Sequence, residues 1–154
     1  MNRLANAGKT FERLWRGSIP SSIWSYRLKD DTSGFLGVCN PCDFILFYKG
    51  RIYLQELKTH KGKSLPFSAI TKGQWEGLYA ASKYKGIKAG IVINFREYNK
   101  TFYVDIIELI RFRSKTNKKS INMDDLMEIG VVVISKKKRV QYTYCIEELL
   151  KVLQ

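Results

Sequence analysis

The 154-residue sequence lacks long apolar runs. None of its apolar stretches approaches the ~18 to 20 residues that a membrane-spanning helix needs, so we expect no membrane association. The first ten residues, MNRLANAGKT, also lack the continuous apolar segment of a secretory signal peptide. We therefore expect the protein to work in the cytoplasm.

The sequence is also poor in residues that form disulfides or bind soft metals, with three cysteines and one histidine. Cys39 and Cys42 form a C-x-x-C pair, and with Cys145 and His60 a Cys₃His zinc site is arithmetically possible. A second closely spaced pair is missing, however, and free cysteines commonly behave as small buried apolar residues. We favour that second interpretation.

Acidic residues are scarce relative to basic ones, with 14 Asp and Glu against 27 Lys and Arg and a formal charge of +13. Such a charge favours a polyanionic partner, and nucleic acid is the leading candidate. The length and the 45% hydrophobic content are sufficient for one domain with a core, so we expect a single domain over residues 1–154.

The chain alternates helix and strand patterns, which predicts an α/β domain around one mixed sheet. Residues 23–26 fit either a strand or a helical turn. The predicted helices cover 3–16, 71–84 behind a Thr71-x-x-Gln74 capping box, a short segment after Asp105, 120–129 and the C-terminus. The predicted strands cover the hairpin around Lys49-Gly50, residues 90–95 and 101–104, and a last hairpin of 131–134 and 140–144.

The hairpin CDFILFYKGRIYLQELKT, residues 42–59, carries charges where packing is expected. A two-residue loop at Lys49-Gly50 sets Asp43 directly opposite Glu56, and such pairs share one face of a sheet. Lys58 lies two residues beyond Glu56 and points the same way. Two acids and one amine are therefore expected to converge.

Two carboxylates so close together would repel each other unless a cation lay between them. Mg²⁺ suits this arrangement because it binds one or two carboxylates and keeps waters for a phosphate substrate. Lys58 could then hold a water or stabilise charge on a phosphate under attack. The alternative is an ordinary ion pair plus a spare acid at the solvated end of a hairpin.

These residues belong to a larger ordered pattern that resembles a known group of nucleases. The spacing of Asp43 and Glu56-Leu57-Lys58 resembles the D…ExK core of the PD-(D/E)xK superfamily. Over residues 2–105 the sequence is further similar to RecU-type Holliday junction resolvases, including phage versions, and to the archaeal Hjc resolvases. The residues that carry this further similarity are Asn6-x-Gly8-x-x-x-Glu12, Leu65-Pro66-Phe67 and Gln74.

The resemblance implies a restriction-endonuclease-like fold and a Mg²⁺-dependent nuclease, with Mn²⁺ as a possible substitute. Asp43 and Glu56 would bind the metal, and Lys58 would position or activate the attacking water. Glu12 would be a further acid, acting directly or through water, and Gln74 an accessory site residue. Residue by residue, the alternatives are that Glu12 is a solvated helix residue and that Gln74 only caps the helix with Thr71.

The resemblance also implies a partner and an assembly. The substrate would be branched DNA, a four-way junction, cut symmetrically by a homodimer in a bacterium or a phage-infected cell. Basic loops are expected to follow its phosphates, whereas 136–139 fits a solvated turn. The candidate DNA-binding residues are Lys61, Lys63, Lys115, Lys118 and Lys119. A different nuclease of the same superfamily or a non-catalytic nucleic-acid-binding module are the alternatives.

Two departures from the family pattern bear on these expectations. The superfamily often has proline directly before the aspartate, whereas Cys42 here separates Pro41 from Asp43. RecU proteins carry a long stalk between the first helix and this aspartate, but only 30 residues lie between Glu12 and Asp43. Any stalk would be short, within residues 26–38, which leaves the junction selectivity open.

Overall fold

The computed structural model describes residues 3–29 and 40–154 and contains a six-stranded mixed sheet between helices. This confirms the predicted α/β fold class with a central mixed sheet. The sheet has the order β1-β2-β3-β5-β6-β8, and only the β3–β5 pair is parallel. Its strands are β1 (Trp24–Arg27), β2 (Phe44–Tyr48), β3 (Arg51–His60), β5 (Ile87–Phe95), β6 (Lys100–Asp105) and β8 (Val131–Val132).

Two short ladders lie outside the main sheet. One pairs β4 (Ser64–Pro66) with β7 (Ser120–Asn122), and the other pairs β9 (Ser135–Lys138) with β10 (Gln141–Tyr144). The helices are α1 (Arg3–Ser18), α2 (Lys72–Ser82), α3 (Ile106–Lys115), α4 (Met123–Ile129) and α5 (Ile146–Val152), with a 3-10 turn at Phe67–Ala69. Within residues 3–29 and 40–154, no helix has the length and apolar character needed to cross a membrane.

Apolar side chains cover both faces of the main sheet and form two cores. The first core lies between the sheet and α1, α5 and the β9–β10 ladder, and Trp15 is fully buried in it. The second core lies under α2, α3 and α4 and includes Leu78 and Ile91. Because β3 and β5 are parallel, the chain must cross over between them, and α2 is the helix of that crossover. This crossover brings α2 over the face that carries the candidate site.

The predicted elements of the first 105 residues are confirmed. Residues 23–26, left open between a strand and a helical turn, lie largely in a strand, β1 (Trp24–Arg27). Two later predictions are wrong. Residues 120–122 form β7 and only Met123–Ile129 is helical, because Asn122 caps α4 with Asp125 in a capping box. The last hairpin instead pairs β9 with β10, so Lys136 to Lys138 lie in a strand, and Val131–Val132 extends the main sheet beside β6.

Candidate active site

The Lys49-Gly50 turn sets the register of the hairpin as the sequence predicted. Both residues have positive φ, 45° and 79°, which is the backbone of a two-residue turn that matches the twist of its strands. Tyr48 pairs with Arg51, and the ladder continues to Phe44 opposite Gln55. Alternation along β3 then directs Glu56 and Lys58 to one face and Gln55 to the other.

Asp43 lies immediately before β2 and reaches across to β3. Its backbone N–H donates to the Gln55 carbonyl at 3.1 Å, and its carboxylate accepts the N–H of Leu57 at 2.7 Å. Burial raises the pKa of Asp43 above its ordinary value, while the hydrogen bond from Leu57 acts in the opposite direction. This carboxylate is therefore fixed beside the backbone of Glu56 and Leu57.

Glu56 is 4% exposed, and within the described residues its side chain has two side-chain partners. Its Oε1 lies 3.0 Å from the Lys58 Nζ and accepts a 2.6 Å hydrogen bond from the Gln74 Nε2. Burial, and after it the charge of Asp43, raises the pKa of Glu56 to about 7, although the Lys58 ammonium opposes this shift. Asp43, Glu56 and Lys58 thus form one electrostatically coupled group, as the hairpin register predicted.

Gln74 caps α2 and also contacts Glu56. Its Oε1 accepts the Thr71 N–H at 2.9 Å, and the Thr71 Oγ1 accepts the Gln74 N–H at 3.2 Å, so the capping box is complete. Its amide nitrogen meanwhile donates to Glu56. The helix cap therefore also fixes the side chain that holds Glu56.

Close packing of α2 against the chain before Asp43 supports this position. A Cβ built on Gly77 would lie 2.6 Å from the Pro41 Cβ, so only glycine allows this approach. Cys42, the residue that departs from the family pattern, is buried in the core under α2. Burial, with added repulsion from Glu56 and Asp43, raises the pKa of the Cys42 thiol to about 12.

Glu12 approaches the site from α1 and is held by Arg27. The Arg27 Nε and Nη2 lie 2.7 and 2.6 Å from the Glu12 Oε2. Glu12 contributes to the raised pKa of both Asp43 and Glu56, whereas Arg27 lowers that of Asp43. Arg27 was not identified from the sequence. It lies beside Asp43 because β1 pairs with β2, and the sequence alone did not establish that pairing.

The donors at this site fit a hard divalent cation. Asp43 and Glu56 offer carboxylate oxygens, the ligands that Mg²⁺ prefers together with waters and phosphate. A bound cation would also offset the repulsion that raises the pKa of Glu56. Across residues 3–29 and 40–154, no group of three or more His, Cys, Asp or Glu side chains could hold a metal. The fit thus rests on two protein carboxylates.

The described residues do not support the Cys₃His zinc site that the sequence made arithmetically possible. Cys42 lies in the core under α2, while Cys145 precedes α5 on the other face of the sheet. Both are free thiols. Cys39, and residues 30–38 of the suggested stalk, lie outside the described residues.

The predicted DNA-binding lysines come from two segments that the β4–β7 ladder joins. Lys61 and Lys63 precede β4, and Lys118 and Lys119 precede β7, next to Lys115 at the end of α3. Lys61 lies 3.7 Å from Glu97 and Lys118 lies 2.8 Å from Asp125, while both lysines stay largely exposed. The β9–β10 ladder with Lys136 to Lys138 packs instead with α1, on the opposite face of the sheet.

Comparisons with known proteins agree with this geometry. The family model of recombination protein U, RecU, matches residues 20–148. A SPbeta prophage-derived uncharacterized protein, YotM, of Bacillus subtilis strain 168 is 34% identical, over 94% of this chain and 85% of its own length. The structure of Hjc from Archaeoglobus fulgidus, a Holliday junction resolvase from an archaeal hyperthermophile, is similar with a TM-score of 0.52. That likeness covers 86% of this chain and 95% of Hjc at 16% identity, so it bears on the fold.

Proposed function

Because the chain belongs to the RecU family, we propose that it is a Mg²⁺-dependent endodeoxyribonuclease that resolves four-way DNA junctions as a homodimer. The observation that carries the proposal is the convergence of Asp43, Glu56 and Lys58 on one face of the hairpin. The fold that the chain shares with an archaeal Holliday junction resolvase supports the substrate, and the prophage relative supports a phage origin.

The proposed reaction is hydrolysis of a phosphodiester. The oxygen of a water forms a bond to phosphorus and the water loses a proton, while the bond from phosphorus to one sugar oxygen breaks and that sugar oxygen receives a proton. Mg²⁺, or Mn²⁺ in its place, would be held by Asp43 and Glu56 and would stabilise the negative charge that develops on the phosphate.

The chain's own residues prepare this site before substrate arrives. Leu57 fixes the Asp43 carboxylate, and Gln74 and Lys58 fix Glu56, so neither acid has to reorganise. Among the described residues, the Lys58 ammonium is the one cation that forms an ion pair with Glu56, and it can hold the attacking water or a phosphate oxygen. Gln74 is proposed as a positioning residue, and Glu12 as an accessory acid oriented by Arg27.

An uncharged surface on the same sheet face supports the homodimer. Trp24, Tyr26, Phe47 and Ile52 are 59, 49, 47 and 37% exposed, and we call them the apolar strip. Trp24 pairs with Phe47, and Phe47 with Ile52, so these three side chains are cross-strand neighbours on one face.

A second copy of the chain is the occupant that charge favours for the apolar strip. Copies with a net charge of +13 repel each other over most of their surface, and repulsion is least at an uncharged patch. DNA, by contrast, requires cations, which the strip lacks. The strip lies on the same face as Asp43 and Glu56, so a two-fold pairing there would bring two sites near one junction.

The test of activity compares cleavage of a synthetic four-way junction with cleavage of duplex, flap and single-stranded DNA, with and without Mg²⁺. We expect metal-dependent nicking that is fastest on the junction, and Asp43→Asn should abolish nicking while DNA binding remains. Preference for another DNA would make the chain a different nuclease of its superfamily. Identical behaviour of the parent protein and Asp43→Asn would leave a non-catalytic DNA-binding module.

The test of assembly is sedimentation equilibrium of Ile52→Lys beside the parent protein. A charge placed in the apolar strip should convert a dimer to a monomer and weaken paired cutting of the two junction strands more than nicking of one. Val140→Lys is the matched control, because Val140 is 87% exposed at the β9–β10 turn. A dimer that persists in Ile52→Lys would contradict this assignment.

A further inference from the structure

A groove of about 640 Å³ lies beside the candidate site, between the start of α2 and the segment that links α3 to β7. Its lining includes two aromatic rings and four basic side chains, those of Phe67, Trp75, Lys72, Arg113, Lys118 and Lys119. Of these residues, only Lys118 and Lys119 were identified from the sequence as DNA-binding candidates.

Arg113 is held in this groove by aromatic rings. Its guanidinium carbon lies 4.9 Å from the centre of the Trp75 ring and 5.7 Å from that of Phe67. In the described part of the chain, no carboxylate forms an ion pair with Arg113, and its side chain is exposed. Because a guanidinium over a ring keeps N–H donors available at its edge, Arg113 can bind an acceptor bidentately.

The charge of the groove suits an anion. Four of its lining residues are cations, and Glu76, 3.6 Å from Lys72, is the one acid among them. Lys118 is paired with Asp125 from outside the groove, whereas no carboxylate of the described residues forms an ion pair with Lys119 or Arg113. An anion there would meet two cations whose charge is not already neutralised.

The groove and the candidate site share the first turn of α2. Gln74 of this turn contacts Glu56, while its neighbours Lys72 and Trp75 line the groove. A polyanion that places one phosphate at Asp43 and Glu56 can therefore continue past α2 into the groove. An acidic peptide would satisfy the same cations but would have no reason to reach the carboxylates of the site.

We propose that this groove binds a second phosphate of the DNA backbone, away from the phosphate that is cut, with Arg113 as its principal ligand. This inference rests on the proposed function, because it takes DNA as the substrate. It adds a site that orients one arm of the junction, so that Arg113 governs where along the strand the cut occurs.

The experiment uses junctions that carry a single neutral methylphosphonate at successive positions around the cut, with Arg113→Gln and the parent protein. The parent should lose affinity at one position outside the cleaved bond, and Arg113→Gln should be insensitive at that same position. With unmodified junction, Arg113→Gln should bind ~10-fold more weakly, since a charge-assisted bidentate contact is lost. The slope of log affinity against log salt should become shallower by ~1.

Two further variants control the interpretation. Arg113→Lys keeps the charge without the planar fork, so it should restore the salt slope but only part of the affinity. Lys137→Gln removes an exposed charge on the β9–β10 ladder, across the sheet, and should leave affinity and methylphosphonate sensitivity unchanged. Thermal unfolding of each variant will show that the exposed substitutions leave the fold intact.

Failure of the groove and failure of the proposed function are distinguishable. If Arg113→Gln retains the salt slope and the full methylphosphonate pattern while Asp43→Asn loses cleavage, the groove proposal is wrong and the nuclease remains. If the parent protein cuts no DNA, the proposed function fails, and loss of DNA affinity in Arg113→Gln would still support the groove. Tight binding of an acidic peptide that DNA does not displace would overturn the groove proposal.

Discussion

Gln55 and Glu56 are neighbours in β3, both are buried, and their side chains point to opposite faces of the sheet. The Gln55 Oε1 accepts a 3.0 Å hydrogen bond from the Trp15 Nε1 in the core under α1, and its Nε2 has no partner within the described residues. Glu56 instead faces Asp43, Lys58 and Gln74. Gln55 links α1 to the sheet, whereas Glu56 lies among the other charged side chains of the candidate site.

The two residues show how one strand can carry a side chain that stabilises the fold and, next to it, a side chain of the candidate site. A neutral amide costs less to bury than a carboxylate, and through its Oε1 Gln55 links the sheet to Trp15 of α1. A buried carboxylate beside another is costly, and the raised pKa of Glu56 expresses that cost. Perturbed pKa values cluster at functional sites, which makes Glu56 a candidate site residue.

The largest expected effect is the loss of cleavage when Glu56 is changed. Glu56→Gln should reduce junction cleavage by at least ~10³-fold, about 4 kcal/mol, since it removes a proposed ligand of the metal. Added Mg²⁺ should raise the melting temperature of the parent protein but not of this variant, because only the parent binds the ion. Glu148→Gln, at an exposed position of α5, is the matched control. Parental cleavage by Glu56→Gln would remove Glu56 from the site.

A smaller loss is expected at Lys58. Lys58→Met should slow single-turnover cleavage by ~10²-fold, because it removes one group that stabilises charge at the phosphate. Affinity for the junction should change little, which separates a role in chemistry from one in binding. The same change at Lys151, exposed on α5, serves as the control. If affinity falls as far as the rate, Lys58 acts as a DNA contact instead.

A change at Gln55, on the face of the sheet opposite Glu56, should affect only the stability of the fold. Gln55→Leu leaves the buried Trp15 N–H without an acceptor, and should lower the free energy of unfolding by about 1–3 kcal/mol. Urea denaturation measures this loss, and cleavage well below the transition should stay near the parental rate. Loss of cleavage with unchanged stability would show that the two faces are not separate.

The smallest effect distinguishes the two roles of Gln74. Gln74→Ala and Thr71→Ala both break the capping box and should each cost about 1 kcal/mol of stability. Only Gln74→Ala also removes the contact with Glu56, so it alone should slow cleavage ~10-fold and raise the Mg²⁺ concentration needed for half-maximal rate. Equal rates in the two variants would reduce Gln74 to a capping residue.

Much of the site could be predicted because its three central residues lie within 16 positions of one another. The register of a hairpin follows from its turn, and the side on which each residue lies follows from alternation. Errors arose where pairing is distant: β4 pairs with β7 across more than 50 residues, and no local pattern marks either three-residue strand. The same holds for β8, which extends the main sheet with only two residues.

The sequence by itself determined that Asp43, Glu56 and Lys58 meet, because a two-residue turn and the alternation of a strand act over short distances. Only the tertiary structure decided that Gln74 holds Glu56, that Arg27 holds Glu12, and that Arg113 lies on two rings beside the site. Those contacts depend on how the crossover helix, the first helix and the edge strand pack on the sheet. Packing is a property of all the layers together, and no single segment encodes it.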